Sequence, residues 1–166
     1  NDPRKFGFID IVKTEDLQKQ KYILSLGIDA LSPRLTPNYM YNKISKSNVP
    51  IKQILLNQRI IAGIGNIYAS EILFDAKISP LILGKDLQIS RIMKLIKSIR
   101  KILKKAIKYG GSSIRNYRST DGTLGNFQSN FRVYNKEGKN IGQNKIIKIV
   151  QYGRSTYYCP NLQNNN

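Results

Sequence analysis

Asn57-Gln58-Arg59-Ile60-Ile61-Ala62-Gly63-Ile64-Gly65-Asn66-Ile67-Tyr68-Ala69-Ser70-Glu71 is the stretch on which the reading of this chain turns. Upstream of it, Pro50 suits the first position of a helix. Ile51, Ile54, Leu55, Gln58 and Ile61 or Ala62 then recur at spacings that keep one face buried, which predicts a helix running into Gly63. Gly63 and Gly65 break that helix; lacking a Cβ, they can take positive φ and let another backbone or a phosphate come close. Asn66 is placed to cap the helix that follows, leaving its remaining amides and its dipole aimed at whatever anion lies beyond the turn. A Gly-x-Gly between two helices also serves as a plain tight turn, so composition has to bear on the choice.

The chain holds 28 Lys plus Arg against 10 Asp plus Glu, a formal net charge of +18, and no His. Nucleic acid is the partner such a surface favours, because phosphate neutralisation releases counterions for every cationic side chain engaged. An anionic membrane surface is the weaker alternative. No run of 18 apolar residues could span a bilayer, and no charged-then-apolar leader opens the chain. The length suits one domain or two small ones, and a hydrophobic content of 40% suffices for a core. One cysteine, Cys159, excludes an internal disulfide and a cysteine cage for a metal. Asn1 in place of Met reads as a processed chain or a piece of a longer one.

In chain order, Phe8-Ile9-Asp10-Ile11-Val12 reads as a strand whose partners lie in a missing segment. Thr14 to Asp16 supply a cap and two acids for a helix to about Leu26, which Gly27 stops in a left-handed conformation. A short helix through Tyr39, Met40 and Ile44 follows Pro37. Lys43, Lys46 and Lys52 put charge on the approach to the central turn, each ordinary solvated surface when taken alone. Ile72, Leu73 and Phe74 continue the second helix of the pair to Asp75. A long helix from about Ser90 to Tyr109 carries a buried stripe of Ile89, Ile92, Ile96, Ile99, Leu103 and Ile107. Its other faces hold Arg91, Lys94, Lys97, Arg100, Lys101, Lys104, Lys105 and Lys108 with no acid among them, and Gly110-Gly111 ends it. Residues 112 to 130 read as a long loop. Phe131 to Tyr134 and Lys145 to Val150 are predicted strands. Gly153 to Cys159 is predicted as a last hairpin, whose Arg154-Ser155-Thr156 turn suits a phosphate oxygen.

Three separated runs resemble one known family. Gly65-Asn66-Ile67-Tyr68-Ala69-Ser70-Glu71 is similar to the helix-two-turn-helix of the formamidopyrimidine-DNA glycosylase and endonuclease VIII family, enzymes that excise oxidised bases such as 8-oxoguanine. Asp2-Pro3-Arg4-Lys5-Phe6-Gly7 resembles that family's Asp-Pro-Arg-Arg-Phe-Gly. Gly153-Arg154-Ser155-Thr156-Tyr157-Tyr158-Cys159-Pro160 resembles the end of its zinc finger. The likeness runs through the whole chain in order and covers only the family's second half.

The resemblance implies a mostly α fold with a small β-hairpin: a helix-two-turn-helix DNA-binding domain followed by a degenerate, zincless finger. The parts would be the end of a missing N-terminal β-sandwich catalytic domain (1–13), the helix-two-turn-helix domain (14–111), a lesion-capping loop region (112–130), the zincless β-hairpin finger (131–160) and a disordered tail (161–166). By the same resemblance Asn66 would bind phosphates flanking the lesion. Arg4 would enter the duplex opposite the flipped nucleotide with Phe6 wedged beside it, offsetting the cost of unstacking. Arg154 would grip the phosphate beside the lesion and serve as the family's proton donor in the elimination step. Ser119 to Phe127 would match the loop that closes over an everted purine. A DNA-contacting lysine of the family falls on Ser47, with Lys46 beside it as a substitute, and Lys46 and Lys52 complete the expected DNA-binding set.

The chain departs from the family in two ways. The N-terminal proline amine, glutamate and lysine of the family's chemistry are absent from this sequence. The finger keeps Cys159 but has Leu162 where its partner belongs, and no cysteine lies around Lys139 to Asn144. No zinc or other cofactor is therefore expected. The reading is damaged-DNA recognition in base excision repair, on duplex with oxidised or abasic lesions. The protein would be an intracellular monomer, at the nucleoid if bacterial, with no membrane partner and with a separate or missing catalytic domain. The alternative is a stand-alone, non-catalytic nucleic-acid binder. A ribosomal RNA-binding protein is disfavoured by the flanking motifs.

Overall fold

The computed structural model describes residues 7–112 and 126–164. The expectations for Arg4 and Phe6, and for Ser119 to Gly125 of the capping loop, lie outside those residues. Phe8 to Val12 forms no strand among the described residues, and Phe8, Ile9 and Ile11 are exposed. The single helix expected up to Leu26 is instead a 3-10 segment, Thr14–Lys19, and one α-turn, Lys21–Leu24 (α1). Gln20 interrupts it: its backbone is extended, and its side-chain amide donates to the Asp16 carbonyl (3.1 Å) that the next helical N–H would have used.

Ile28–Asp29 (β1) pairs in parallel with Ile61–Ala62 (β2), and this small pairing corrects two expectations. Gly27 does not take positive φ. It is a site of close backbone approach, where a Cβ would lie 2.3 Å from the Ile60 carbonyl oxygen while its own N–H donates to Gln58 O at 2.8 Å. The helix after Pro50, Ile51–Leu56 (α3, following Pro37–Ile44, α2), stops well short of Ile61. Asn57 turns extended there and its Oδ1 accepts the Arg59 amide at 3.0 Å, which releases Ile61 and Ala62 to join β1.

Asn66–Asp75 (α4) and Ile89–Lys108 (α5) complete the helical part. Ile92, Leu95, Ile96, Ile99, Ile102, Leu103 and Ala106 of α5 are buried against α2 and α4, whereas Ile89 and Ile107 at the ends of the expected stripe are exposed. Gly110 and Gly111 end α5 with φ of 69° and 79°.

The finger consists of two antiparallel pairs, Asn140–Ile141 (β3) with Asn144–Lys145 (β4), and Ile147–Gln151 (β5) with Arg154–Tyr158 (β6). Tyr152 and Gly153, both at positive φ, form the tight turn of the second pair. Arg154, Ser155 and Thr156 thus stand on a strand, not in the turn expected of them. Phe131 to Tyr134 is not a strand. The amides of Arg132, Val133 and Tyr134 instead donate to the Glu71 carboxylate at 2.8, 3.0 and 2.8 Å, so one buried side chain of α4 occupies the donors a ladder would have used.

Phe74, Val133, Ile146, Tyr157 and Cys159 form the finger's own core, with Ile141 and Leu162 packed on it. A file of rings, Tyr68, Phe127, Phe131, Tyr134 and Tyr157, each 5.0 to 5.8 Å from the next, joins that core to the helical one. The disordered tail expected from residue 161 is not found as far as Asn164. Gln163 is buried, accepting from Cys159 N at 2.8 Å and donating to Ile78 O at 2.9 Å, and Asn164 bridges to Ile78.

Candidate nucleic-acid interface

The turn at Gly63 is held from within by Gln58, which was expected on a buried helix face. Its Oε1 accepts from Gly63 N (2.8 Å) and its Nε2 donates to Ile64 O (3.0 Å). Gly63 has the positive φ expected, 95°. Gly65 does not: with φ of −103° and ψ of 175°, it is the extended residue that starts α4. Asn66 is accordingly the first helical residue, and its side chain caps nothing. Its Nδ2 donates to Ser155 O of β6 at 3.0 Å and its Oδ1 accepts from Lys52 Nζ at 2.7 Å.

Lys52 is the correction with the largest consequence. Expected as solvated charge on the approach to the turn, it is fully buried on α3. Its ammonium donates to Asn66 Oδ1, to Thr156 Oγ1 at 2.6 Å and to Ser155 O at 3.1 Å. All three N–H groups are thereby used on neutral oxygens, with no carboxylate among its partners. Burial, and after it the positive charge of Arg154, pull its pKa down to about 8. The result is a cationic cross-link between the helix pair and the finger, next to an exposed guanidinium at the head of β6.

Of the expected DNA-binding set, the structure brings together Lys52 and Asn66 from the helix pair and Arg154 from the distant finger strand. Lys46 is exposed just beyond α2 and makes no hydrogen bond or ion pair among the described residues. Ser155 and Thr156 spend their carbonyl and hydroxyl on Lys52 and Asn66 in place of the phosphate expected for them. The residues not anticipated are Gln58 and Glu71. A lone carboxylate on the otherwise apolar, buried face of α4 was the available signal for Glu71.

The side chains of the finger do not fit a zinc ion. Cys159 is the chain's one thiol, there is no His, and Cys159 is buried in an apolar cluster against which Leu162 and Ile141 pack. Among the described residues no group of three or more His, Cys, Asp or Glu could hold a metal.

This fold, two helices joined through a glycine turn and braced by a β-hairpin finger, defines a helix-two-turn-helix domain with an attached finger. The model of the formamidopyrimidine-DNA glycosylase H2TH domain matches residues 26–118, more than half of the chain, and the chain belongs to that family. A formamidopyrimidine-DNA glycosylase from Zymomonas mobilis is 42% identical over 98% of the chain, and one from Rickettsia africae is likewise 42% identical over 98%. The chain spans about three fifths of each of these relatives, 60% in both cases. Among solved structures, the MutM (Fpg) protein of Thermus thermophilus superposes with a TM-score of 0.89 at 35% identity, covering 98% of this chain and 62% of that one. The Lactococcus lactis Fpg in complex with DNA containing an abasic site gives 0.82 at 38% identity, covering 92% and 56%.

Proposed function

We propose that the chain is the DNA-recognition part of a formamidopyrimidine-DNA glycosylase acting in base excision repair. It would grip duplex DNA with an oxidised or abasic lesion, as a monomer, at Asn66 and Arg154, with the buried ammonium of Lys52 adding positive charge behind them. The observation that carries this reading is Lys52: an ammonium buried without a counter-ion costs several kcal/mol of desolvation, and here it lies between the turn and the finger beside a second cation. Such an arrangement suits a partner that brings the negative charge. The solved relatives bound to abasic-site and Fapy-dG DNA support the same reading.

In this reading Arg154 holds the phosphate beside the lesion. A guanidinium is a fixed fork of five donors that does not give up its proton under ordinary conditions, which favours that role over proton donation. Arg4 and Phe6 would fill the duplex, and Lys46 would add an outer phosphate contact. The finger would stand without zinc, on its apolar core and the Gln163 hydrogen bonds. The base-removing step would draw on the proline, glutamate and lysine that the family resemblance places in the first domain.

Fluorescence anisotropy with a duplex carrying a stable abasic-site analogue and its undamaged twin tests the proposal. The damaged duplex is expected to bind at least tenfold tighter, about 1.4 kcal/mol. Asn66→Ala and Arg154→Ala are each expected to weaken binding by about 1–3 kcal/mol, the scale of a lost charge-assisted hydrogen bond. Equal binding of the two duplexes, unmoved by either substitution, would overturn it.

A further inference from the structure

At the opposite end of α4 from Asn66, about 14 Å along its axis at 1.5 Å per residue, a groove of about 630 Å³ opens between the end of α4, the first half of α5 and Asn164. Lys77, Arg91, Lys94, Lys97 and Lys101 line it, with Asp75 as its one acid. The groups that would oppose an anion there are already occupied. Asp75 accepts from Ser98 Oγ at 2.7 Å and from Lys101 Nζ at 2.6 Å. The carbonyl oxygens of Lys77 and Asn164 accept from Arg91 Nη2 at 3.2 and 3.0 Å. Arg91 Nη1 is buried with no acceptor among the described residues, while Lys94 and Lys97 are exposed and make no hydrogen bond or ion pair among them. α5 begins without a side-chain cap and has no acid in its first turn, so its dipole adds to the positive field.

The cations form a line. Arg91, Lys94, Lys97 and Lys101 recur every three or four residues and extend about 15 Å along α5. One strand of duplex carries a phosphate about every 3.4 Å of axis, so a row of this length lies alongside about four such intervals, with Lys94 and Lys97 the cations in it that have no protein acceptor among the described residues. A compact anion would need a convergent cradle; a row suits a chain of charges. We propose that this groove is a second site for the sugar-phosphate backbone of nucleic acid, blind to lesions and bases and separate from the Asn66 cluster. It rests on the reading above only in taking the partner to be nucleic acid.

The test uses the full chain carrying Asn66→Ala and Arg154→Ala, in which the first site is disabled, and measures the salt dependence of binding to a short undamaged duplex. Adding Lys94→Gln and Lys97→Gln is expected to lower the slope of log affinity against log salt by about 1.8, two phosphate contacts at about 0.9 each. Adding Lys13→Gln and Lys21→Gln, an equal charge change at exposed positions elsewhere, is expected to leave the slope unchanged. Amide spectra should show duplex-induced shifts at residues 91–101. An equal slope change in both double variants would mean that bulk charge alone is at work and would overturn the site. Binding that depends on Lys94 and Lys97 for anionic phosphatidylglycerol vesicles but not for duplex would overturn it in favour of a membrane surface. Failure of the first site would show instead as lesion preference unaffected by Asn66→Ala and Arg154→Ala, a separate readout.

Discussion

Two buried charges, Lys52 and Glu71, fix how the finger sits on the helices, and their energetics differ. Glu71 is satisfied by three backbone amides, so its removal leaves donors stranded. Glu71→Gln keeps the shape but turns an amide group toward one of those donors, and it is expected to lower unfolding free energy by about 1.5–3 kcal/mol, read from urea midpoints. Lys52 is hydrogen-bonded yet has no counter-ion, and relief of its desolvation opposes the loss of its three bonds. Lys52→Met should therefore be nearly neutral in stability while weakening duplex binding at least tenfold, about 1.4 kcal/mol. Unchanged affinity together with a large loss of stability would make Lys52 a structural strut only. Its titration gives a second signature. The folded pKa of about 8 lies below the ordinary 10.5, so between those values the unfolded chain binds more protons and stability rises with pH. A bound phosphate favours the charged form, so duplex affinity should fall as pH rises through 8. That step should move upward in Arg154→Ala, which removes one cause of the depression, and vanish in Lys52→Met.

At the scale of elements, side chains that imitate the backbone moved the boundaries. Asn57 closes α3 by taking the Arg59 amide, Gln20 splits the first helix by taking the Asp16 carbonyl, and Gln58 clasps the turn. Periodicity cannot show these, since the same residues fit a helical face. The β1–β2 pairing depends on Gly27, where any Cβ meets backbone carbonyl atoms that cannot rotate away. Gly27→Ala is expected to cost about 2 kcal/mol or more, in the range of overpacked sites. Thermal unfolding checks this; a loss below about 0.5 kcal/mol, ordinary for an innocuous surface change, would show that the parallel pair can part without consequence.

For the whole molecule, the finger and the helical domain are coupled through the aromatic file and through Lys52. If the finger stands without zinc, prolonged EDTA treatment should shift neither the unfolding midpoint nor duplex affinity, and elemental analysis should find well under one zinc per chain. A chelator-induced drop of several degrees would reverse that reading, because a structural zinc contributes to folding directly.

Composition, the glycine turn and the order of the motifs were enough to determine a basic, mostly helical chain with its helix pair, its long cationic helix, its finger and its family. These are local patterns and short-range preferences, and sequence carries them. Only the tertiary structure decided that Asn66 faces the finger instead of capping its helix, and that Glu71 replaces a strand. It alone showed that Lys52 is a buried tie 104 residues from Thr156 and that the cations of α5 meet Lys77 across a groove. Each depends on which distant polar group comes within hydrogen-bonding reach once the core has closed, and no spacing along the chain encodes that distance.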